Sequence, residues 1–280
     1  MMDLRDKADL FHSLHTRDGV LVLANAWDVA SALLVEEAGA EAVATTSAGV
    51  AWSLGAPDGD RLDRDRALDL IARIASAVRV PVTADIESGF GDTPEAVAET
   101  VRGVIEAGAV GVNIEDTVRR DGTPVLRPVE EQAARLAAAR AAADAAGVPL
   151  YINARVDVYL RGNDAPEARL RAALERAAAY REAGASGIFA IGVTDPGTIA
   201  VLAEGVDLPL NVFGGPGAPP VGELAALGVA RVSVGSDLAA AAYAVARRAA
   251  RELYGTGTYA ALADGIAFGE LNDLLARRPG

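Results

Sequence analysis

The chain has 280 residues, 51% hydrophobic and 5% aromatic, with no cysteine and a formal net charge of −13. The missing cysteine excludes thiol nucleophiles, thiolate metal centres and disulfides, and a single lysine, Lys7, argues against Schiff-base and pyridoxal-phosphate chemistry, which need a lysine in the pocket. The acidic balance opposes nucleic acid, and no apolar run reaches the roughly 18 residues of a membrane span, so a soluble, cytoplasmic protein with neither nucleic-acid nor membrane partners is expected.

The leading segment carries His12 and His15, three apart. Without an acid and a third ligand in register they read as a surface pair. From there, apolar runs bounded by turn residues predict strands at 20–26, 42–47, 80–87, 110–116, 150–157, 187–193, 208–213 and 231–236. Between them lie alanine-rich segments of helical periodicity at 65–78, 93–107, 128–146, 165–183 and 196–204, and Gly39, Gly108, Gly147, Gly184 and Gly228 stand where helix C-caps belong. Strand and helix alternate eight times with no linker or change of composition, which predicts an α/β fold, a single (β/α)8 TIM-type barrel over residues 1–255. Residues 256–280 are expected to be a C-terminal helical extension of the same domain. One helical pattern covers 238–253, Gly255-Thr256-Gly257 breaks it, and a second amphipathic stretch runs over 259–277 and ends in Arg277-Arg278-Pro279. One barrel cannot easily bury both, so a homodimer or homotetramer is expected, with this region packed on a neighbour.

Active sites of such barrels lie at the C-terminal ends of the strands, and polar residues gather there. Strand two ends at Ser47, strand three at Asp85 and Glu87, strand four at Glu115 and Asp116, and strand five at Arg155 and Asp157. Residues i and i+2 of a strand share a face, which points Asp85 and Glu87 the same way and brings Glu115 beside them. At ~6 Å and an effective dielectric near 20, each ionised pair repels by roughly 3 kcal/mol. Such a cluster reads as a site for a hard divalent metal, Mg²⁺ first and Mn²⁺ second.

Four motifs in order resemble the isocitrate lyase/phosphoenolpyruvate mutase superfamily, over roughly residues 10–255. Asp85-Ile86-Glu87-Ser88-Gly89-Phe90-Gly91 is similar to its Asp-x-Asp-x-Gly-Tyr-Gly element and Thr45-Thr46-Ser47-Ala48-Gly49 to its substrate-carboxylate loop. Asn113-Ile114-Glu115-Asp116 and Asn153-Ala154-Arg155-Val156-Asp157 resemble its acidic strand-four and Ala-Arg strand-five elements. The resemblance implies an α/β barrel, often with the eighth helix exchanged between subunits, Mg²⁺, and a 2-oxo acid or enolate held through its carboxylate. It implies Asp85 as principal metal ligand, with Asp58, Glu87 and Glu115 holding the ion's waters, and it implies Ser47 and Arg155 as the carboxylate clamp. The expected catalytic set is Arg155, Ser47 and Tyr159, and the expected substrate-binding set is Thr45, Ser47, Ala48, Gly49, Asp85, Arg155 and Asn211.

The chain departs from that pattern in four places. The segment 117–128 has neither the cysteine nor the histidine of the family's isocitrate-type lyases, Glu87 replaces the usual aspartate, strand six ends in Ala190-Ile191-Gly192 without the mutases' histidine, and the mutases' Asn-Ser pair is absent. The expectation is therefore a Mg²⁺-dependent lyase that cleaves a C–C bond in a small 2-oxo or 2-hydroxy (di)carboxylate through a metal-stabilised enolate. The alternatives are phosphonopyruvate hydrolase or mutase-type C–P chemistry, and a non-catalytic barrel that binds metal and dicarboxylate. Residues 117–128 are expected to form a lid, and Tyr159, Arg161, Arg119, Arg120 and Arg127 to recognise a second acidic group.

Overall fold

Parallel strands alternating with helices curl into a barrel because each strand is apolar enough to be covered on both sides. The computed structural model describes residues 2–276, so Arg277, Arg278 and Pro279 lie outside the described residues. Strand β1 runs over Leu21–Leu23 and, after a break at Ala24, over Asn25–Ala26. It is followed by β2 (Val43–Thr45), β3 (Val82–Asp85), β4 (Gly111–Glu115), β5 (Tyr151–Val156), β6 (Gly187–Ala190), β7 (Leu210–Phe213) and β8 (Arg231–Ser233). The break in β1 closes the ring: its first half pairs with β8 (Leu21 opposite Arg231) and its second half with β2 (Asn25 opposite Ala44). All these pairings are parallel.

The outer ring forms from local signals. Helix α1 covers Leu4–Ser13, α2 Val29–Glu37, α3 Ser47–Ser53, α4 Arg64–Ala77 and α5 Pro94–Glu106. Asp63 caps α4 by accepting the Asp65 and Arg66 N–H groups at 3.0 and 3.2 Å, and Ala67, Leu70, Ile71 and Ile74 turn one apolar face inward. Helix α5 starts on Thr93 and Pro94. It stops at Gly108, whose φ of +87° suits a residue without Cβ and turns the chain into β4. Then come α6 (Val129–Ala145), the short α7 (Val158–Arg161), α8 (Pro166–Glu182), α9 (Pro196–Gly205), α10 (Val221–Ala226), α11 (Asp237–Gly255) and α12 (Phe268–Ala276).

The strands stop short of their expected limits at the C-terminal side, and this matters for the site. Ser47 opens a helix instead of ending β2, and Glu87 lies beyond β3 in the following turn. Residues 117–126 are also not an irregular loop. Thr117–Arg120 and Thr123–Leu126 pair antiparallel, with Asp121 and Gly122 both at positive φ in the turn. Asp-Gly between two short runs is a strong hairpin signal.

Inside the barrel the middle layer is polar. Asn153 Nδ2 donates to Asn113 Oδ1 at 2.9 Å and to Asn211 Oδ1 at 3.1 Å, and Asn25 joins β1 to its neighbours by donating to the Thr45 carbonyl at 2.9 Å and accepting the Gly235 N–H at 2.9 Å. The barrel floor is closed by α1. The two histidines are consequently not a surface pair: His15 is 5% exposed and stacks on Tyr151 at 3.9 Å, while His12 Nε2 lies 3.0 Å from the Pro149 carbonyl.

At the C-terminus, α11 buries only Ala239 and leaves Leu238, Tyr243, Val245, Leu253 and Tyr254 exposed. The second amphipathic stretch is shorter than expected, a single turn at Ala260–Leu262 and then α12. It does find a seat on its own barrel, with Leu274 buried next to α2.

Burial lowers the His15 pKa to about 3, with Arg231 acting in the same direction. Its folded value lies below the unfolded value of about 6.5, so stability from the neutral ring is complete above pH 6.5 and is lost as pH falls toward 3. Relative to His15→Gln, the natural protein should lose up to about 1.4 kcal/mol per pH unit below 6.5. Urea denaturation of both proteins at pH 7.5, 5.5 and 4.5 checks this, and a stability difference that does not change with pH contradicts it.

Candidate active site

The C-terminal ends of β2 to β5 bring Asp85, Glu87, Glu115 and Arg155 together, and the Asp58–Asp60 loop joins them. Asp85 ends β3. Its N–H donates to Thr45 Oγ1 at 2.9 Å, and its carboxylate accepts the Glu87 and Ser47 N–H groups, each at 3.3 Å. Both accepted bonds are long, so the Asp85 oxygens keep free lone pairs.

Glu87 reaches the cluster by a route other than a shared strand face. It sits at φ +51° in the turn, a conformation that favours glycine, and Gly89 and Phe90 also have positive φ. Such backbone persists where its surroundings over-determine it. Here the Glu115 N–H donates to the Glu87 carbonyl at 2.9 Å, Thr100 Oγ1 donates to the Gly89 carbonyl at 2.8 Å, and buried Arg135 donates to the Ser88 carbonyl. The Glu87 carboxylate then accepts the Asp60 N–H. Burial, with Asp60, Asp58 and Asp85 adding like charge, pushes its pKa up to about 8. Asp58 is also raised, first by loss of solvent at its carboxyl and then by Asp85, with Ser47 close by. Asp60 was not part of the predicted set; its place in the Asp58-Gly59-Asp60 turn was the available signal.

Arg155 forms the cationic side. Its Nε and Nη2 donate to Asp157 at 2.7 and 2.9 Å in a fork, and Nη2 also pairs with Glu115. Among the described residues no acceptor takes Nη1, so that edge is available to a ligand. Glu115 is thus committed to Arg155 as much as to the acids, and burial raises its pKa well above the usual carboxylate range, with the Arg155 charge opposing. Asp157 is fully buried, accepts from Thr117 Oγ1 as well, and is held below its ordinary pKa by Arg155 against the effect of burial.

Other predicted residues sit apart from these contacts. Asn211 is buried in the barrel interior, where its amide donates to the Val212 and Arg231 carbonyls at 2.8 and 3.2 Å. Tyr159 carries Arg169 over its ring at 5.6 Å, and its buried hydroxyl has no hydrogen-bond partner among the described residues. Ala48 and Gly49 belong to the first turn of α3, with the Gly49 Cα turned into packing against Trp27 and Ala239. Of the arginines expected to meet a second acidic group, Arg127 is buried on Glu131, Arg120 lies 3.7 Å from Glu131, and Arg161 Nε donates to Thr117 Oγ1 at 3.3 Å. Arg119 rests against Gly59. Next to the site, a cavity of about 460 Å³ is lined by Asp60, Asp63, Asp65 and Asp92 with Arg64, so its charge does not suit an anionic ligand.

No three acids or histidines among the described residues are placed to ligate one ion directly. The donor set still fits a hard divalent cation. Asp85 has free carboxylate oxygens, the acids around it are oxygen donors whose pKa is raised by burial and then by their neighbours' charge, and Mg²⁺ typically takes one or two carboxylates and keeps several waters.

A family model described as phosphoenolpyruvate phosphomutase matches residues 11–254. The chain belongs to the phosphoenolpyruvate mutase/isocitrate lyase superfamily. Within that superfamily it is similar to a protein of Burkholderia cenocepacia provisionally described as a lyase/mutase, with 43% identity, a TM-score of 0.90, and coverage of 98% of this chain and 96% of that one. It is 38% identical to an uncharacterized protein of Mycobacterium tuberculosis over 86% of this chain and 87% of that protein. It is also 34% identical to 2-methylisocitrate lyase of Escherichia coli, over 75% of this chain and 70% of that enzyme.

A Cβ on Gly49 would stand 2.6 Å from Thr46 Cγ2 and 2.8 Å from Trp27 Cβ. Overpacking of this kind costs about 1–3 kcal/mol, and Gly49→Ala should lose that much in chemical denaturation. A loss below about 0.5 kcal/mol would mean that the position has room to spare.

Proposed function

We propose that the chain is a divalent-cation-dependent carbon–carbon lyase acting on a small 2-oxo or 2-hydroxy (di)carboxylate through an enolate. The observation that carries this reading is the free Nη1 edge of Arg155 beside a cluster of carboxylates short of positive charge. Its family relationship to 2-methylisocitrate lyase supports the same class of chemistry.

Asp85 would hold the ion directly, and Asp58, Glu87 and Glu115 would hold it through water. When bound, Mg²⁺, or Mn²⁺ on the same oxygen donors, supplies positive charge against the negative charge that develops on an enolate oxygen. The protein does the rest. Arg155 donates a charged hydrogen bond from Nη1 to a carboxylate oxygen, its Nε/Nη2 fork being held by Asp157. Ser47 and the backbone at the start of α3 hold the other oxygen, near Asp85. The hairpin at 117–126 lies beside the site, with Arg119 against Gly59 of the Asp58–Asp60 turn. The proton comes from water or from Tyr159, whose buried hydroxyl makes no hydrogen bond among the described residues. Its missing lid cysteine leaves the isocitrate-type reaction without an acid, a step that typically contributes 10²–10⁴-fold. Exposed apolar side chains on α11 support assembly as a homodimer or homotetramer through this helix.

A substrate screen with Mg²⁺ tests this reading. Oxaloacetate-like acids should turn over faster than 2-methylisocitrate by at least two orders of magnitude, and oxalate should compete. Charged hydrogen bonds contribute about 1.5–3 kcal/mol, so Arg155→Ala should weaken oxalate at least tenfold. Rapid cleavage of 2-methylisocitrate, or oxalate binding indifferent to Arg155, would contradict the proposal.

A further inference from the structure

Arg155 is aimed by a chain of buried contacts that begins on the outer ring. Helix α8 carries Arg176 and Tyr180 at i and i+4, on one helix face and both buried. Arg176 Nη1 donates to Asp116 Oδ2 at 2.9 Å, and the Tyr180 hydroxyl donates to the same oxygen at 2.8 Å. Arg176 Nη1 also lies 2.8 Å from the Tyr180 hydroxyl oxygen, so the two donors brace each other. The other oxygen of Asp116, Oδ1, accepts the backbone N–H of Asp157 at 2.8 Å. Asp157 in turn accepts the Arg155 fork. Asp116 and Asp157 are both 0% exposed, so solvent does not compete at either link.

We propose that Tyr180 and Arg176 are positioning residues that fix the direction of the Arg155 Nη1 edge through Asp116 and Asp157. This inference rests on the reading of Arg155 as the carboxylate clamp. A guanidinium bonded only to Glu115 could rotate about that contact. Two carboxylates in series, the second held at both oxygens, remove that freedom and leave Nη1 facing the mouth of the barrel. Losing the Tyr180 hydroxyl removes one of the two side-chain donors that orient Asp116, and the slack passes along the chain to Arg155. It touches neither Asp85 nor the acids around it.

The test is a double-mutant cycle read by calorimetry of oxalate at saturating Mg²⁺, using the natural protein, Tyr180→Phe, Arg155→Lys and the double variant. Tyr180→Phe should weaken oxalate three- to tenfold in the natural background and less than twofold on top of Arg155→Lys, because its effect has no other route to the ligand. Mg²⁺ affinity should stay within twofold throughout, which a general loss of structure would not allow. If Tyr180→Phe does not fold by circular dichroism, Arg176→Lys takes its place in the cycle with the same expected pattern. Equal weakening in both backgrounds, or none in the natural one, overturns the inference while leaving the clamp intact. If Arg155→Lys itself leaves oxalate unchanged, the clamp reading falls and the positioning role falls with it.

Discussion

Too many carboxylates at the mouth of one barrel is the constraint on which the rest of this structure depends. Asp58, Asp60, Asp85, Glu87 and Glu115 converge there, and Arg155 pairs directly with one of them, Glu115. Each pair of ionised acids at about 6 Å repels by roughly 3 kcal/mol at an effective dielectric of 20, and burial adds a desolvation penalty. The molecule meets part of that load by raising the Glu87 pKa to about 8 and that of Asp58 above its ordinary value. An oxygen-seeking divalent cation would meet the remainder. The same imbalance that makes the cluster unfavourable by itself is what would give it affinity for such an ion.

The fold creates this imbalance on purpose-built supports. Parallel strands deliver their last residues to one rim, and each acid is then aimed by a neighbour rather than by the strand itself. Asp85 is set by the Thr45 hydroxyl and the Ser47 amide, Glu87 by a left-handed turn tied down from Thr100 and Arg135, and Arg155 by Asp157. Several of these supports come from the helical ring, so the layer that stabilises the barrel also determines where the charges point.

Much of this was legible in the sequence. Eight apolar runs separated by alanine-rich helical segments predict the barrel, and the acids and arginine at the strand ends predict the rim. Four features were not legible, each for a physical reason. Glu87 seemed to share a strand face with Asp85, but β3 ends one residue after Ala84 and the turn reverses the geometry that a period of two assumes. His15 carries no local mark of burial; its surroundings come from Tyr151 and Arg231, far away in sequence. Arg176 and Tyr180 look like ordinary residues of an amphipathic helix, and only the packing of α8 against β5 brings them to Asp116. Asp157 looks like an ordinary strand-end polar residue, and only the folded geometry shows its two oxygens holding Arg155.

The central claim is that Asp85 holds a divalent cation that balances the surrounding acids. Titration calorimetry of Mg²⁺ into the natural protein and into Asp85→Ala tests it most directly. The account predicts one bound ion in the natural protein and no detectable binding in the variant. Equal affinity in the two proteins would contradict it.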